Sequence, residues 1–218
     1  MKSTFCSLRS VIHVAAASII LGASASAATF SFTTAPFAGS DALTTPGRQI
    51  VGGEAFINFS IASDVFSFGS DVFGIGSIQF ASATAANLPT SGVNAIVLQS
   101  FDNDANPATP FGAGNAANLI ADRITTSGPG FFIYFNQGLD LPRLVYSTDL
   151  SDNTADLQIL ARLTNLTGQP GRDAMPTFTA ANFQIASVPE PASVLTLLIA
   201  AGALLAGRSV FGRKSERS

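Results

Sequence analysis

The residues of this chain best placed to do chemistry are acidic and closely spaced. Asp102, Asn103, Asp104 and Asn106 crowd one short segment, and oxygen ligands at alternate positions of a tight loop can converge on a hard cation such as Ca2+. The candidate calcium ligands are Asp102, Asp104 and Asn106, with Asp64 or Asp71 as donors from elsewhere. The helix-loop-helix calcium pattern itself is not met, since Pro107 stands at its sixth position and Ala113 at its twelfth, where that pattern takes Gly and a bidentate Glu. A stronger reading needs no metal: Asp and Asn side chains shape turns by bonding their own backbone. A second acidic stretch, Asp149, Asp152, Asn153 and Asp156, lies between Tyr146 and Leu157. It reads as a hairpin turn, with Asp152 and Asn153 in the unusual dihedrals of such a turn.

Other chemistry finds less support. A glycosidase needs two carboxylates across a sugar, one with a raised pKa, and Glu54 is the only Glu between residues 28 and 187. Arg123, Arg143 and Arg162 could contact acidic sugars, although arginines in strands more often are solvated or paired with Asp. Sugar platforms favour Trp and Tyr, whereas this stretch offers Tyr134, Tyr146 and sixteen phenylalanines, many at core-facing positions. Gly112, Gly114 and Ala117 echo a dinucleotide fingerprint but lack the expected strand-helix-strand setting. The triplet Asn165-Leu166-Thr167 matches a glycosylation acceptor by pattern alone. The single Cys6 and the single His13 both fall near the N-terminus. Residues 28–187 therefore hold no thiol, disulfide or imidazole, which excludes Ser-His-Asp and Cys-His catalysis and His-ligated zinc there.

The elements that would position these residues read as strands. Phe30 with Phe32, Ile57 with Phe59 and Ile61, Phe66 with Phe68, Val93 with Ala95 and Val97, and Phe183 with Ile185 alternate with polar or small neighbours at a period of two. Leu157, Ile159, Ala161 and Leu163 share one face, with Leu160 the exception to the alternation. Phe73 and Ile75 sit on odd positions but Ile78 and Phe80 on even ones, which predicts a bulge near Gly76. Residues 131–135 are apolar on both faces and predict a central, doubly covered strand, led in by a turn at Gly128-Pro129-Gly130. Long loops are expected at 35–53, 81–92 and 102–118. With no long helical period and no internal repeat, the expectation is an all-β fold, a single antiparallel β-sandwich of jelly-roll or Greek-key topology.

Both ends of the chain read as addresses. Lys2 and Arg9, an apolar stretch over residues 11–21 and a run of small residues at 22–28 make a secretory signal peptide over 1–27. Ala25 and Ala27 are the small residues that signal peptidase accepts, and cleavage is expected after Ala27. Cys6 precedes the apolar stretch, which excludes a lipoprotein. At the other end Val188, Pro189, Glu190 and Pro191 precede an apolar run over 192–207 and a basic tail with Arg208, Arg213, Lys214 and Arg217 over 208–218. The prolines stop the domain and leave the run free to start a helix. That helix would be about 24 Å long, short of the ~30 Å hydrocarbon core, a gap Arg208 can close by snorkelling. The basic cluster then stays inside and the domain outside.

This C-terminal arrangement resembles the PEP-CTERM proteins of Gram-negative bacteria that make exopolysaccharide. The resemblance covers about the last thirty residues and rests on the Val188 to Pro191 motif, the helix and the basic tail in that order. It implies recognition by an exosortase, a membrane-embedded cysteine protease or transpeptidase-like enzyme, and it implies a route, with no activity attached.

Composition fits that route. The whole chain is 11% charged, carries a net charge of -3 and is 47% apolar, which excludes a disordered acidic tail and a basic nucleic-acid binder. Residues 28–187 hold five arginines, no lysine and twelve acidic residues, a balance that repels polyanions. The expected function is that of an exported, non-enzymatic structural or adhesive component of an exopolysaccharide-rich envelope or biofilm matrix, without a cofactor. Its expected partners are signal peptidase and the exosortase during processing, the membrane through the C-terminal helix, and exopolysaccharide. A calcium-dependent glycan-binding module is the alternative, and a carboxylate-based glycan hydrolase a more distant one.

Overall fold

The computed structural model describes residues 26–106 and 108–186. The leader through Ala25, Pro107 and the whole sorting segment 188–218 lie outside these residues. Among the described residues no helix is long and apolar enough to cross a membrane; the expected span at 192–207 is not among them.

Along the chain come β1 (Thr29–Phe32), β2 (Ile50–Val51), β3 (Ala55–Ile57), β4 (Val65–Gly69), the single-turn helix α1 (Ser70–Phe73), β5 (Phe80–Ala83) and β6 (Ala95–Leu98). Then follow α2 (Ala113–Ala121), β7 (Gly130–Asn136), β8 (Leu141–Ser147), β9 (Leu157–Leu163), α3 (Gly168–Ala174) and β10 (Phe183–Ala186). A three-stranded sheet has the order β1-β4-β10, and a larger one the order β2-β9-β8-β7-β6-β5, with β3 also pairing β9. The fold is β-rich, as expected, but its pairing is not antiparallel. Among the described residues only β7–β8 and β8–β9 are antiparallel; the other six pairings are parallel. This corrects the antiparallel jelly-roll or Greek-key expectation. Parallel neighbours need crossover connections, and the segments read as loops supply them.

One crossover holds a helix where a loop was expected, at 102–118. Ala113, Ala116, Ala117 and Ile120 are buried at the spacing of a helix face. Their small side chains let α2 lie close to the sheet, and for the same reason they give a faint periodic signal. β6, α2 and the parallel strand β7 form a strand-helix-strand unit, so the setting that Gly112 and Gly114 seemed to lack is present. The fingerprint turn is nonetheless absent, because the acidic loop separates β6 from α2. A Cβ on Gly114 would meet only Ile50 and Arg48 at 3.8 and 4.0 Å, so no close approach demands glycine there.

Two hydrophobic cores sandwich the large sheet. On one face the small sheet packs through aromatic rings: Phe68 stacks on Phe131 at 3.7 Å and Phe59 on Phe66 at 4.1 Å between centroids. On the other face α2 covers Ile96, Leu98, Phe132 and Tyr134. β7 is buried at all seven positions, the doubly covered strand expected from its composition. Gly130 opens it because a Cβ there would collide with Leu150 and with the Asn94 carbonyl.

The exception at Leu160 is a bulge. Leu144 pairs with Ala161 and Val145 with Ile159, leaving Leu160 as the extra residue of β9. The bulge flips the faces, so Leu157 and Ile159 join the core under α2 while Ala161 and Leu163 join the core between the sheets. The expectation that all four share one face is corrected accordingly. No bulge occurs at Gly76, which lies outside any strand; α1 ends at Gly74 in the left-handed conformation at φ 68°, and the parity change between Ile75 and Ile78 falls at a bend over Gly76 and Ser77.

Candidate functional site

The acidic loop 102–106 follows β6 and precedes α2, and its carboxylates face their own backbone. Asp102 Oδ1 accepts the amides of Asn103, Asp104 and Ala105 at 2.7, 3.1 and 3.2 Å. Asp104 accepts the Asn106 amide at 3.0 Å and the Thr109 hydroxyl at 2.6 Å, and Asn106 Oδ1 accepts the Ala108 amide at 3.0 Å. The Thr109 hydroxyl and the Asn106 amide hold the Asp104 carboxyl below its ordinary value. Gln137 closes the loop at both ends, donating to the Phe101 carbonyl at 2.6 Å and accepting the Phe111 amide at 2.8 Å. This is turn chemistry. Neither Asp64 nor Asp71 joins the loop, and among the described residues no three His, Cys, Asp or Glu side chains converge as a metal site.

The second acidic stretch divides in two. Asp149 accepts the Ser151 amide at 2.8 Å and Asp152 the Thr154 amide at 2.7 Å, within the β8–β9 hairpin connection. Asp152 and Asn153 keep ordinary dihedrals, against expectation; among described residues the non-glycine positions with positive φ are Leu43, Ala105 and Asp140. Asp156 is buried and reaches far along the chain, accepting the amides of Leu43 and Gln49, each at 2.7 Å. Arg48, which the sequence does not single out, donates to the Ala155 carbonyl at 3.0 Å and to Asn118 of α2 at 2.8 Å.

Among the described residues the densest charged cluster is assembled from four strands. Tyr134 of β7 lies opposite Arg143 of β8, Arg143 opposite Arg162 of β9, and Arg162 opposite Phe56 of β3. Residues directly opposite share a face, and like charges in that relation repel. Glu54 resolves the repulsion. Its Oε1 accepts Arg143 Nη2 at 2.7 Å and Arg162 Nε and Nη2 at 2.7 and 2.6 Å. The Glu54 side chain is 8% exposed, against 14% for Arg143 and 28% for Arg162. The Arg162 guanidinium also lies 5.0 Å over the ring of Phe56, which is 68% exposed. Burial pushes the Glu54 carboxyl up, but a backbone amide and the two guanidiniums overcome it and hold the pKa at about 2. A carboxyl so acidic has no proton to donate at neutral pH, so Glu54 is unsuited to be a hydrolase's general acid.

The arginines expected to pair with Asp or to meet acidic sugars thus divide. Arg143 and Arg162 share Glu54, and Arg123 stands apart, donating to the Leu88 carbonyl at 3.3 Å. Strand register carries this grouping, and spacing along the chain gives no sign of it. The sorting residues Val188, Pro189, Glu190 and Pro191 and the tail residues Arg208, Arg213, Lys214 and Arg217 lie outside the described residues, as does Ala25, while Ala27 is exposed. The chain matches no protein-family model, no curated protein and no solved structure.

Proposed function

We propose that the chain is an exported cell-surface protein, sorted through its C-terminal signal by an exosortase, and a non-enzymatic structural or adhesive component of an exopolysaccharide-rich envelope. The order of motif, apolar run and basic tail over 188–218 carries this reading. The fold agrees with it in one respect. β10 ends at Ala186, directly before the motif, and because the small sheet is parallel, this exit lies at the opposite end from the start of β1. Asp102, Asp104, Asp149 and Asp152 order turns and Glu54 pairs with two arginines, as suits a scaffold.

Two experiments test the proposal. Expression with and without an exosortase should give a protein shortened at its C-terminus only when the enzyme is present, and replacing Pro189 and Pro191 by Ala should abolish the shortening by letting helix propagate into the motif. Normal removal of the tail in that variant would refute recognition of the motif. Sedimentation of the exported protein with the host's exopolysaccharide, in calcium and in chelator, separates the readings of the domain. Association independent of calcium supports an adhesive component; calcium-dependent association replaces it with a glycan-binding module using Asp102, Asp104 and Asn106.

A further inference from the structure

Asp64 is 5% exposed, and its carboxylate is bonded by neutral groups only. Oδ1 accepts the Ala28 amide at 2.9 Å and the Ser63 hydroxyl at 3.1 Å, and Oδ2 accepts the Ser60 amide at 2.8 Å. Asn182, at the entry to β10, donates to the Asp64 carbonyl at 3.0 Å. Among the described residues no Arg or Lys lies within ion-pair distance of Asp64. Buried carboxylates are seldom left without a cation. Burial pushes the Asp64 carboxyl up, and the Ala28 and Ser60 amides with the Ser63 hydroxyl outweigh it, so the group stays ionised.

The nitrogen at 2.9 Å belongs to the residue that follows the expected signal-peptidase cut. Hydrolysis of the Ala27–Ala28 bond consumes one water and leaves a carboxylate on Ala27 and an ammonium on Ala28. Upstream of that bond Ser26 and Ala27 are exposed; downstream the ladder begins at once, with the Ala28 carbonyl accepting the Val65 amide at 2.9 Å and Thr29 paired with Val65. We propose that Asp64 is the receptor for the N-terminal ammonium created by leader removal, so that processing completes a half-buried ion pair and locks β1 onto β4. The inference rests on the export reading above and adds a site to it: an uncleaved chain presents an amide to Asp64, a processed one presents a charge. Among the described residues every other group facing the carboxylate is neutral, being the Ser60 amide, the Ser63 hydroxyl and the Asn182 carboxamide on the adjoining carbonyl.

The test uses the full chain exported by its own leader and purified after processing. Intact mass should place the N-terminus at Ala28. Isotope-edited titration of the reductively methylated amine should show it titrating above the ordinary ~8 of an α-amine. Because the folded ammonium is favoured, the stabilisation is complete below that ordinary value and is lost as pH rises through the raised one. Asp64→Asn should cost about tenfold or more in the unfolding constant at pH 7 and remove this alkaline loss. Inserting Gly-Ser between Ala27 and Ala28, which moves the charge but keeps the amide, should do the same while leaving the sheet able to form. An N-terminus at another residue, an ordinary amine titration, or an unchanged alkaline loss in both variants would overturn the ion pair while leaving export standing. A protein that keeps its leader would overturn export as well.

Discussion

The loop at Asp102 and the cluster at Glu54 set the same functional group in opposite circumstances. In the loop, Asp102 and Asp104 are neighbours in sequence, exposed, and bonded to amides within three residues. In the cluster, the Glu54 side chain is largely buried and meets guanidiniums 89 and 108 residues away. Contacts of the first kind order a turn that could rearrange at little cost. Contacts of the second kind join β8 and β9 to the segment leading into β3, so their loss is felt through the whole sheet. Proximity along the chain marks where acids are dense, whereas strand register decides where a charge carries stability.

The largest effect should come from Glu54→Ala, which leaves two partly buried arginines facing each other. A loss of about 3 kcal/mol in denaturant unfolding is expected, and a loss no larger than that of a surface substitution would erase the contrast. The same group should govern acid sensitivity. With its pKa at about 2 in the folded protein against an ordinary value near 4.5, Glu54 contributes stability that is complete above the ordinary value and is lost as pH falls towards 2. Glu54→Gln should flatten that part of the acid unfolding profile.

Asp156→Ala comes next, since it orphans the Leu43 and Gln49 amides, with an expected loss of about 2 kcal/mol. Phe56→Ala removes one exposed cation-π contact and should lower stability by ~0.5 kcal/mol. Smallest of all is Asp102→Ala, at under ~0.5 kcal/mol for an exposed turn. If the loop is only a turn, calcium and chelator should give the same melting temperature. A rise of several degrees in calcium, lost in Asp102→Ala, would instead move the loop to the side of the functional sites.

Much of the strand content was legible because it depends on local alternation. Phe30 and Phe32, Phe66 and Phe68, and residues 131–135 all fall in strands, whereas the break in alternation at Leu160 was visible without showing that it is a bulge that turns the faces of β9. The helix α2 escaped because alanines carry its buried face. The parity change near Gly76 was visible, but a bulge within a strand and a bend between elements shift the alternation alike, and only the backbone tells them apart. For the candidate site, the turn chemistry of Asp102, Asp104 and Asp149 could be read from residue type alone. The sharing of Glu54 by Arg143 and Arg162 could not, since no local pattern reports which strands lie side by side.

By itself the sequence determined the β-rich character, the doubly covered β7, the acidic balance and the absence of thiol and imidazole between residues 28 and 187. These follow from composition and short-range periodicity, which every tertiary arrangement must respect. Tertiary structure alone decided that most strands run parallel, that β9 turns its faces at Leu160, and that Glu54 and Asp64 meet their particular partners. The reason is that strand order and direction depend on crossovers between distant segments, whose competing pairings differ in free energy only once both cores are packed.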